Sequence, residues 1–419
     1  MGTIEAGSPN PPPVPSTITI IESVSDLQQG PNAVKWLKGD FLGNGSQQIV
    51  QAWDNDSTLG MILYGQMIPA GQVRGAPPIT QLWASDDMGE GPGAVAWKVG
   101  RFHTRTKDEI VQAWRNGSSL GMIVYGSDDG VGLTKRWTSP DMGQGPGAVA
   151  WKVGDFDGDG NDELVQAWGN GSALGLIVYG SDGGNGLTQL WSSSDMGAGP
   201  GAVAWKVGRF TDTARDQLVQ LWKNGSTLGM TLYESDGGKG LQQIWSSGDM
   251  GAGPGALAWT VGDFNGDGYD EIIQLWKSQK YGVGALGMTM FGCGPGGGLA
   301  LLTSSDYNGS YDAATWKVGD FDGDGRAEII RVFSQDSYLG LQAYGVRSDG
   351  TLGPLVLHGD ADAGPGAVTW KAGAFMAPFS DVLVQMWANG SALGMYVYGT
   401  MAFRSVAGVL PRPAGSDTP

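Results

Sequence analysis

The sequence is short of the features that usually announce a fold or a chemistry. One cysteine in 419 residues, Cys293, excludes an intramolecular disulfide, so the redox compartment is not legible from bridges, and a small core or turn residue is the expectation for it. The two histidines, His103 and His358, share no motif. No run approaches the roughly 18 apolar residues that cross a bilayer, so membrane insertion is not expected. Positive charge is scarce: 25 Lys and Arg stand against 42 Asp and Glu, a net −17. That balance argues against nucleic acid and anionic lipid as partners and suits a binder of cations. Residues 1–15 lack the charged and apolar regions of a signal peptide, and Ser8 to Pro15 is a stiff Pro-rich linker type. A secreted or extracellular setting is expected, either as a domain of a longer exported protein or as a mature form without its leader.

What the chain does have is a period. A Trp in one context recurs at Trp36, Trp97, Trp151, Trp205, Trp259, Trp316 and Trp370, at intervals of 61, 54, 54, 54, 57 and 54 residues. Each unit reads as four short strands with no room for an ordinary helix. In the third, the apolar runs are Ala148–Val153, Leu164–Trp168, Leu174–Tyr179 and Leu187–Trp191, with Asn170-Gly171-Ser172 as a tight turn between the middle two. Seven such units predict an all-β fold, a seven-bladed β-propeller of four-stranded antiparallel blades. Thr17 to Asp26 aligns with Leu187 to Asp195, so the N-terminal strand is expected to complete the last blade. The boundaries expected are a linker at 1–16, the propeller at 17–401 and a tail at 402–419.

Between the first two strands of the third unit, Asp155, Asp157, Asp159 and Glu163 fall at loop positions 1, 3, 5 and 9, with a backbone carbonyl from Asn161 at position 7. Odd spacing in a tight loop turns hard oxygens toward one centre, which favours calcium. Asp263, Asn265, Asp267, Tyr269 and Glu271 repeat the pattern, as do Asp320, Asp322, Asp324, Arg326 and Glu328. The first loop keeps Asp40 and Asn44 but has Leu42 and Gln48. The second carries Arg101, His103 and Arg105 beside Glu109, the fourth Arg209, Thr213 and Arg215, where a side-chain cation is expected to replace an ion; the seventh, Ala374 to Pro378, is apolar. Three structural calcium ions are therefore expected, not seven.

The segments Gly-Asp-Phe-Asp-Gly-Asp-Gly and Gly-Asp-Phe-Asn-Gly-Asp-Gly resemble the FG-GAP or VCBS repeats of integrin α-chain propellers, fungal propeller lectins and many exported bacterial proteins. The resemblance covers seven units in period and three in the full cation motif. It implies that the motif lies in the hairpin between the first two strands and binds calcium there, at the fifteen positions just named.

Three aromatic rows are expected to approach the face opposite these loops. They are the strand-one Trp row, a strand-two row of Trp53, Trp114, Trp168, Trp222, Trp276 and Trp387 with Phe333 in the sixth unit, and a strand-four row of Trp83, Trp137, Trp191 and Trp245 that stops there. An Asp recurs in the interunit loops at Asp26, Asp87, Asp141, Asp195, Asp249, Asp306 and Asp360. Lys98, Lys152, Lys206, Lys317 and Lys371 recur on strand one, and Gln51, Gln112, Gln166, Gln220, Gln274 and Gln385 on strand two. The strand-one Trp row reads as packing, and Lys with Asp as charge pairs between blades. The strand-four Trp row with Asp87, Asp141, Asp195 and Asp249 is the candidate ligand site, because a flat ring and fixed acceptors suit a sugar. No unique acid–base constellation breaks the repeat, so the expectation is a recognition module and not an enzyme. Its partner is expected to be a glycan or cell-surface polymer bound multivalently. The alternatives are a protein-binding adhesion or scaffold propeller, or an accessory domain of an exported hydrolase or toxin.

Overall fold

A computed structural model describes residues 18–66, 78–280, 285–294, 296–310, 312–335, 338–358, 366–376 and 380–400. The expected linker and tail, and the loop Asp360, lie outside them. The described residues form twenty-eight strands and no helix, in seven four-stranded antiparallel sheets, a seven-bladed β-propeller. Blade 3 is built from Ala150–Gly154, Glu163–Asn170, Ala173–Ser181 and Leu187–Ser193. In the seventh sheet, Ile18–Val24 pairs antiparallel with Ala392–Thr400 as the outermost strand.

The middle strands of each blade are apolar almost throughout because both faces of a blade are covered by its neighbours. Each core therefore lies between blades: Phe156, Val165 and Leu176 of blade 3 pack with Trp205, Leu218 and Tyr233 of blade 4. The strand-one Trp row belongs to these cores, and Trp151 stacks on Tyr179 at 6.5 Å. Two local expectations change. The strand-two hairpin turns on Gly-Ser, not Asn-Gly: Asn170 pairs with Ala173, Gly171 alone takes positive φ (61°), and the Asn170 amide instead donates to Ser194 O at 3.2 Å. Cys293 ends a strand of blade 5 and is exposed rather than in the core.

One contact recurs at every blade interface. The residue before strand two donates its backbone N–H to the carbonyl of the residue that follows strand one in the preceding blade. The pairs are Asp108 to Asp40, Asp162 to Arg101, Asp216 to Asp155, Asp270 to Arg209, Ala327 to Asp263, Asp381 to Asp320 and, across the closure, Gln47 to Ala374. In the five Asp cases the carboxylate also accepts the opposing N–H, as Asp216 Oδ2 does from Asp155 N at 3.0 Å. This approach requires glycine at the end of strand one: a Cβ on Gly154 would meet Val207 and Asp216 at 2.7 and 2.8 Å.

On the opposite face a second relay fixes the interunit loops. Gln166 Nε2 donates to Gly145 O and Gly147 O at 3.0 and 2.7 Å, while its Oε1 accepts the buried Tyr179 hydroxyl at 3.0 Å. Blades 1, 2 and 4 repeat the triad, and Arg331 replaces it in blade 6 by donating to Asp312 O. The Gln row is thus committed to holding the loops. Gln166→Leu should orphan a buried hydroxyl and two carbonyls, costing about 1–3 kcal/mol; the midpoint of urea unfolding should fall, and an unchanged midpoint would contradict the relay's role.

Candidate functional site

The three acidic loops share one backbone. Gly158 and Gly160, Gly266 and Gly268, and Gly323 and Gly325 all lie at φ between 78° and 89°, a left-handed turn taken twice. In blade 3, Asp155 accepts Gly158 N and Gly160 N at 2.8 and 3.0 Å, Asp157 accepts Asp159 N, Asp159 accepts Asn161 N, and Glu163 accepts Phe156 N at 2.9 Å. Each carboxylate is oriented by backbone. Oxygens of Asp320, Asp322, Asp324 and Glu328 lie within 4.8 Å of one another, as do those of Asp155, Asp157 and Asp159.

Burial, with repulsion from neighbouring carboxylates, pushes Glu163 and Glu271 to about 8 and Glu328 to about 9. The carboxylates gathered in blades 3 and 6 fit a hard divalent cation, while the blade 5 oxygens are not brought together as such a group among the described residues. The loops are not equal. Blade 6 brings four carboxylates together, with Arg326 folded back on Asp324 Oδ2 at 2.9 Å from Nε. In blade 3 the Lys239 ammonium, from the next blade, contacts Asp157 and Asp159. In blade 5 Asn265 Oδ1 accepts Asp267 N, which leaves its NH2 donating to Asp267 and Glu271 at 2.9 and 2.7 Å. Arg209 lies over the Tyr269 ring at 5.5 Å.

Blade 2 answers the same charge problem with side chains. Glu109, in the Glu163 register and 1% exposed, takes His103 Nδ1 on one oxygen at 2.7 Å and Arg136 Nη1 on the other at 2.5 Å; His103 Nε2 reaches Gly186 O. Two of the arginines expected to fill their own loops lie instead on blade 3: Arg105 donates to Asp159 O, and Arg215 packs against Gly158. Blade 4 uses the neutral Gln217, which accepts Phe210 N and donates to Thr211.

Among the described residues, blades 2 to 5 carry clefts of equivalent construction on the opposite face, about 560 and 530 Å³ in blades 5 and 4 and about 450 Å³ in blades 2 and 3. Each is walled by the Gly-rich interunit loop and floored by the strand-two indole, which lies across a strand-three glycine such as Gly175 or Gly229. An aliphatic lip recurs at Val34, Val95, Val149, Val203, Leu257 and Val368, each between 37% and 50% exposed. Sequence reasoning missed this lip, although the Val position repeats. The clefts fall into two kinds. In blades 4 and 5 the indole N–H donates to Thr231 and Thr289 at 3.2 and 3.0 Å, each paired with a serine, Ser246 or Ser304. In blades 2 and 3 the same strand position is Ile123 or Ile177, and the Trp114 and Trp168 Nε1 atoms have no partner.

The strand-four residues fall elsewhere. Trp83, Trp137, Trp191 and Trp245 lean on Gly132, Gly186, Gly240 and Gly298 of the following blade, where any Cβ would collide with the indole. Their row stops because the partner does: blade 5 has Thr303 in that register, and blade 6 has Thr351 in place of the glycine. Asp87, Asp141, Asp195 and Asp249 are exposed and each accepts the backbone N–H two residues on, at 2.6–2.9 Å. None of these eight residues lines the four clefts, and no charge pair joins this Asp row to the strand-one lysines among the described residues.

No family model matches the chain, and no curated protein does. Solved structures do. Rhamnogalacturonan lyase YesW is 14% identical with a TM-score of 0.45 over 91% of this chain and 72% of that one. A rhamnogalacturonan lyase of Bacillus licheniformis is 15% identical with a TM-score of 0.47 over 90% and 75%. AofleA from Arthrobotrys oligospora is 12% identical with a TM-score of 0.40 over 83% and 94%. At these identities the likeness is one of fold. It nonetheless corrects one expectation: lyases stand among the chains of similar architecture, so the reading of this chain as not an enzyme is withdrawn, and its catalytic status is not established.

The blade 2 cluster yields a pH signature. Burial lowers the His103 pKa, but its hydrogen bonds to Glu109 and Gly186 and the Glu109 charge outweigh it and carry the value above the ordinary 6.5. A raised histidine stabilises the fold fully below the unfolded value and loses that contribution as pH rises through the folded one. The stability gap between wild type and His103→Gln should therefore be widest below about pH 6.5 and close on the alkaline side. A gap that widens with pH in chemical denaturation would contradict the assignment.

Proposed function

We propose that this propeller binds carbohydrate in the inter-blade clefts floored by Trp114, Trp168, Trp222 and Trp276, and that calcium in the loops of blades 3, 5 and 6 stiffens the opposite face. The observation that carries the reading is the fourfold repetition of one cleft: an indole floor, a Val or Leu lip and a wall of glycine backbone. A pyranose offers a flat C–H face to the indole and the lip, and hydroxyls to the Thr–Ser pair and to Lys223 or Lys277 at the edge. Equivalent clefts around one ring suit a repetitive glycan, each weak alone and joined by multivalency. The cation loops are the segments that resemble FG-GAP and VCBS repeats, and calcium at such loops suits an extracellular setting, where sites of about 10⁻⁴–10⁻³ M are filled.

Trp222→Ala with Trp276→Ala should weaken glycan-array signal at least ~10-fold, the loss of about 1.4 kcal/mol. Trp137→Ala should lower stability, by about 3–5 kcal/mol if its cavity does not collapse, and leave the signal in place. The reverse pattern would return the site to the strand-four row. A monosaccharide should compete the partner off; retention would favour a protein ligand.

Chelation tests the calcium component separately. Ions bound only by the folded loops stabilise by mass action, about 2.7 kcal/mol at a hundredfold excess over the dissociation constant. Chelator should lower the melting temperature, and less so in Asp322→Asn with Glu328→Gln. An identical melting temperature with and without chelator would remove calcium from the proposal.

A further inference from the structure

The strand-one lysines serve neither the clefts nor the cation loops. Lys98, Lys152, Lys206, Lys317 and Lys371 occupy one register, each opposite a strand-two Val or Ile. The first strands of neighbouring blades lie side by side around the propeller axis. Lys206 Nζ donates to the strand-one carbonyl of Trp259 in the next blade, and Lys371 Nζ reaches Trp36 O at 2.8 Å across the closure. Capping a free edge carbonyl uses one N–H of the three on each ammonium.

Seen together, the ammonium groups make an arc. Lys206 and Lys98 act on Lys152, Lys35 acts on Lys98, and Lys317 and Lys35 act on Lys371. The arc thus runs through blades 4, 3, 2, 1, 7 and 6. Lys38, three residues beyond Lys35 in blade 1, also acts on Lys317 and Lys371 and has Asp381 and Asp108 nearby. Among the described residues no carboxylate pairs with any of the five row lysines. Burial first, then this mutual repulsion, lowers Lys152 and Lys371 to about 8. Blade 5 fills the gap in the arc with Thr260, 8% exposed, whose Oγ1 has no hydrogen-bond partner. A chain of net charge −17 has gathered cations about one axis and left a buried hydroxyl unused beside them.

We propose that this axial ring is an oxyanion site that takes a doubly charged tetrahedral anion of the sulfate class. The spare N–H donors of Lys152, Lys206 and their neighbours would hold its oxygens, and the Thr260 hydroxyl would complete the ring. Five ammonium groups in one register on adjacent first strands, none ion-paired among the described residues, create the positive potential such a ligand needs. The site is separate from the carbohydrate clefts, whose linings contain none of these lysines.

The probe is sodium sulfate, titrated calorimetrically into the full chain in calcium-containing buffer, with chloride adjusted to constant ionic strength. Saturable binding is expected. Lys152→Met with Lys206→Met should weaken it at least ~10-fold, and Thr260→Val, which keeps shape and removes only the hydroxyl, should weaken it measurably. Lys223→Met with Lys277→Met, at the clefts, should leave it unchanged. No saturable heat with the native chain overturns the proposal. So does an unchanged dissociation constant in the folded Thr260→Val or lysine variants, or loss of binding in the cleft variant alone.

Discussion

The backbone clamp between consecutive blades is the constraint on which the rest depends. It is the same N–H to carbonyl contact at all seven interfaces, including the closure from Gln47 to Ala374. It draws the end of one inner strand against the start of the next blade's second strand, which is why strand one must end on glycine. A ring has no free end along which an error in spacing can relax, so the contact fixes the pitch of every blade at once. The unit length of about 54 residues varies in connections away from the clamp, as the seven extra residues before Trp97 and the longer connection from Ser278 to Ala285 in blade 5 show.

The clamp also ties the two faces to different tasks. Its carbonyl belongs to the residue that opens each cation loop, Asp155, Asp263 or Asp320, so any ion held there would stiffen an interface as well as a hairpin. Blade 2 reaches the same end with His103 and Arg136 on Glu109, and blade 4 with the neutral Gln217. What persists in blades 1 to 6 is a polar residue nine positions into the loop, held by side-chain cations in blade 2 and through amide hydrogen bonds in blades 1 and 4, while blade 7 has Val382 there. On the opposite face the Tyr–Gln relay lifts the glycine-rich loop off the sheet, and that loop is the wall of the cleft.

The propeller was legible because its evidence is periodic: seven Trp contexts, four apolar runs in each, turn residues between them. The site was legible only in part. The strand-four Trp row drew attention by stopping after four copies, yet its loss tracks the loss of a facing glycine, a covariation across blades that no single unit displays. The strand-two Trp floor was visible, but nothing in the order of residues tells which of three indole rows is left with room above it. Asp108, Asp162, Asp216, Asp270 and Asp381 escaped notice for a different reason. They occupy the unassigned eighth place of the cation motif, and their five-in-seven recurrence is read as turn composition until the neighbouring blade is in view.

The same geometry sorts charge along the axis. From Lys152 to Asp155 is three residues, about 10 Å of extended strand, so a layer of ammonium groups and a layer of carboxylates are stacked around one ring. The carboxylate layer is crowded too: burial, then Asp162, Asp270 and Asp155, raises Asp216 to about 6. Each layer repels itself, and the spacing keeps Lys98, Lys152 and Lys206 from ion pairing with the acids below. Hydrogen bonds to backbone absorb part of the cost, the acids accepting N–H groups and the lysines donating to carbonyls, but backbone dipoles carry no net charge. Leucine and threonine at that position also close the ring, as Leu37 and Thr260 do, but without the carbonyl caps that Lys206 and Lys371 supply to the neighbouring blade. Five lysines in one register thus join neighbouring first strands and, on the proposal made for the axis, also attract an anion.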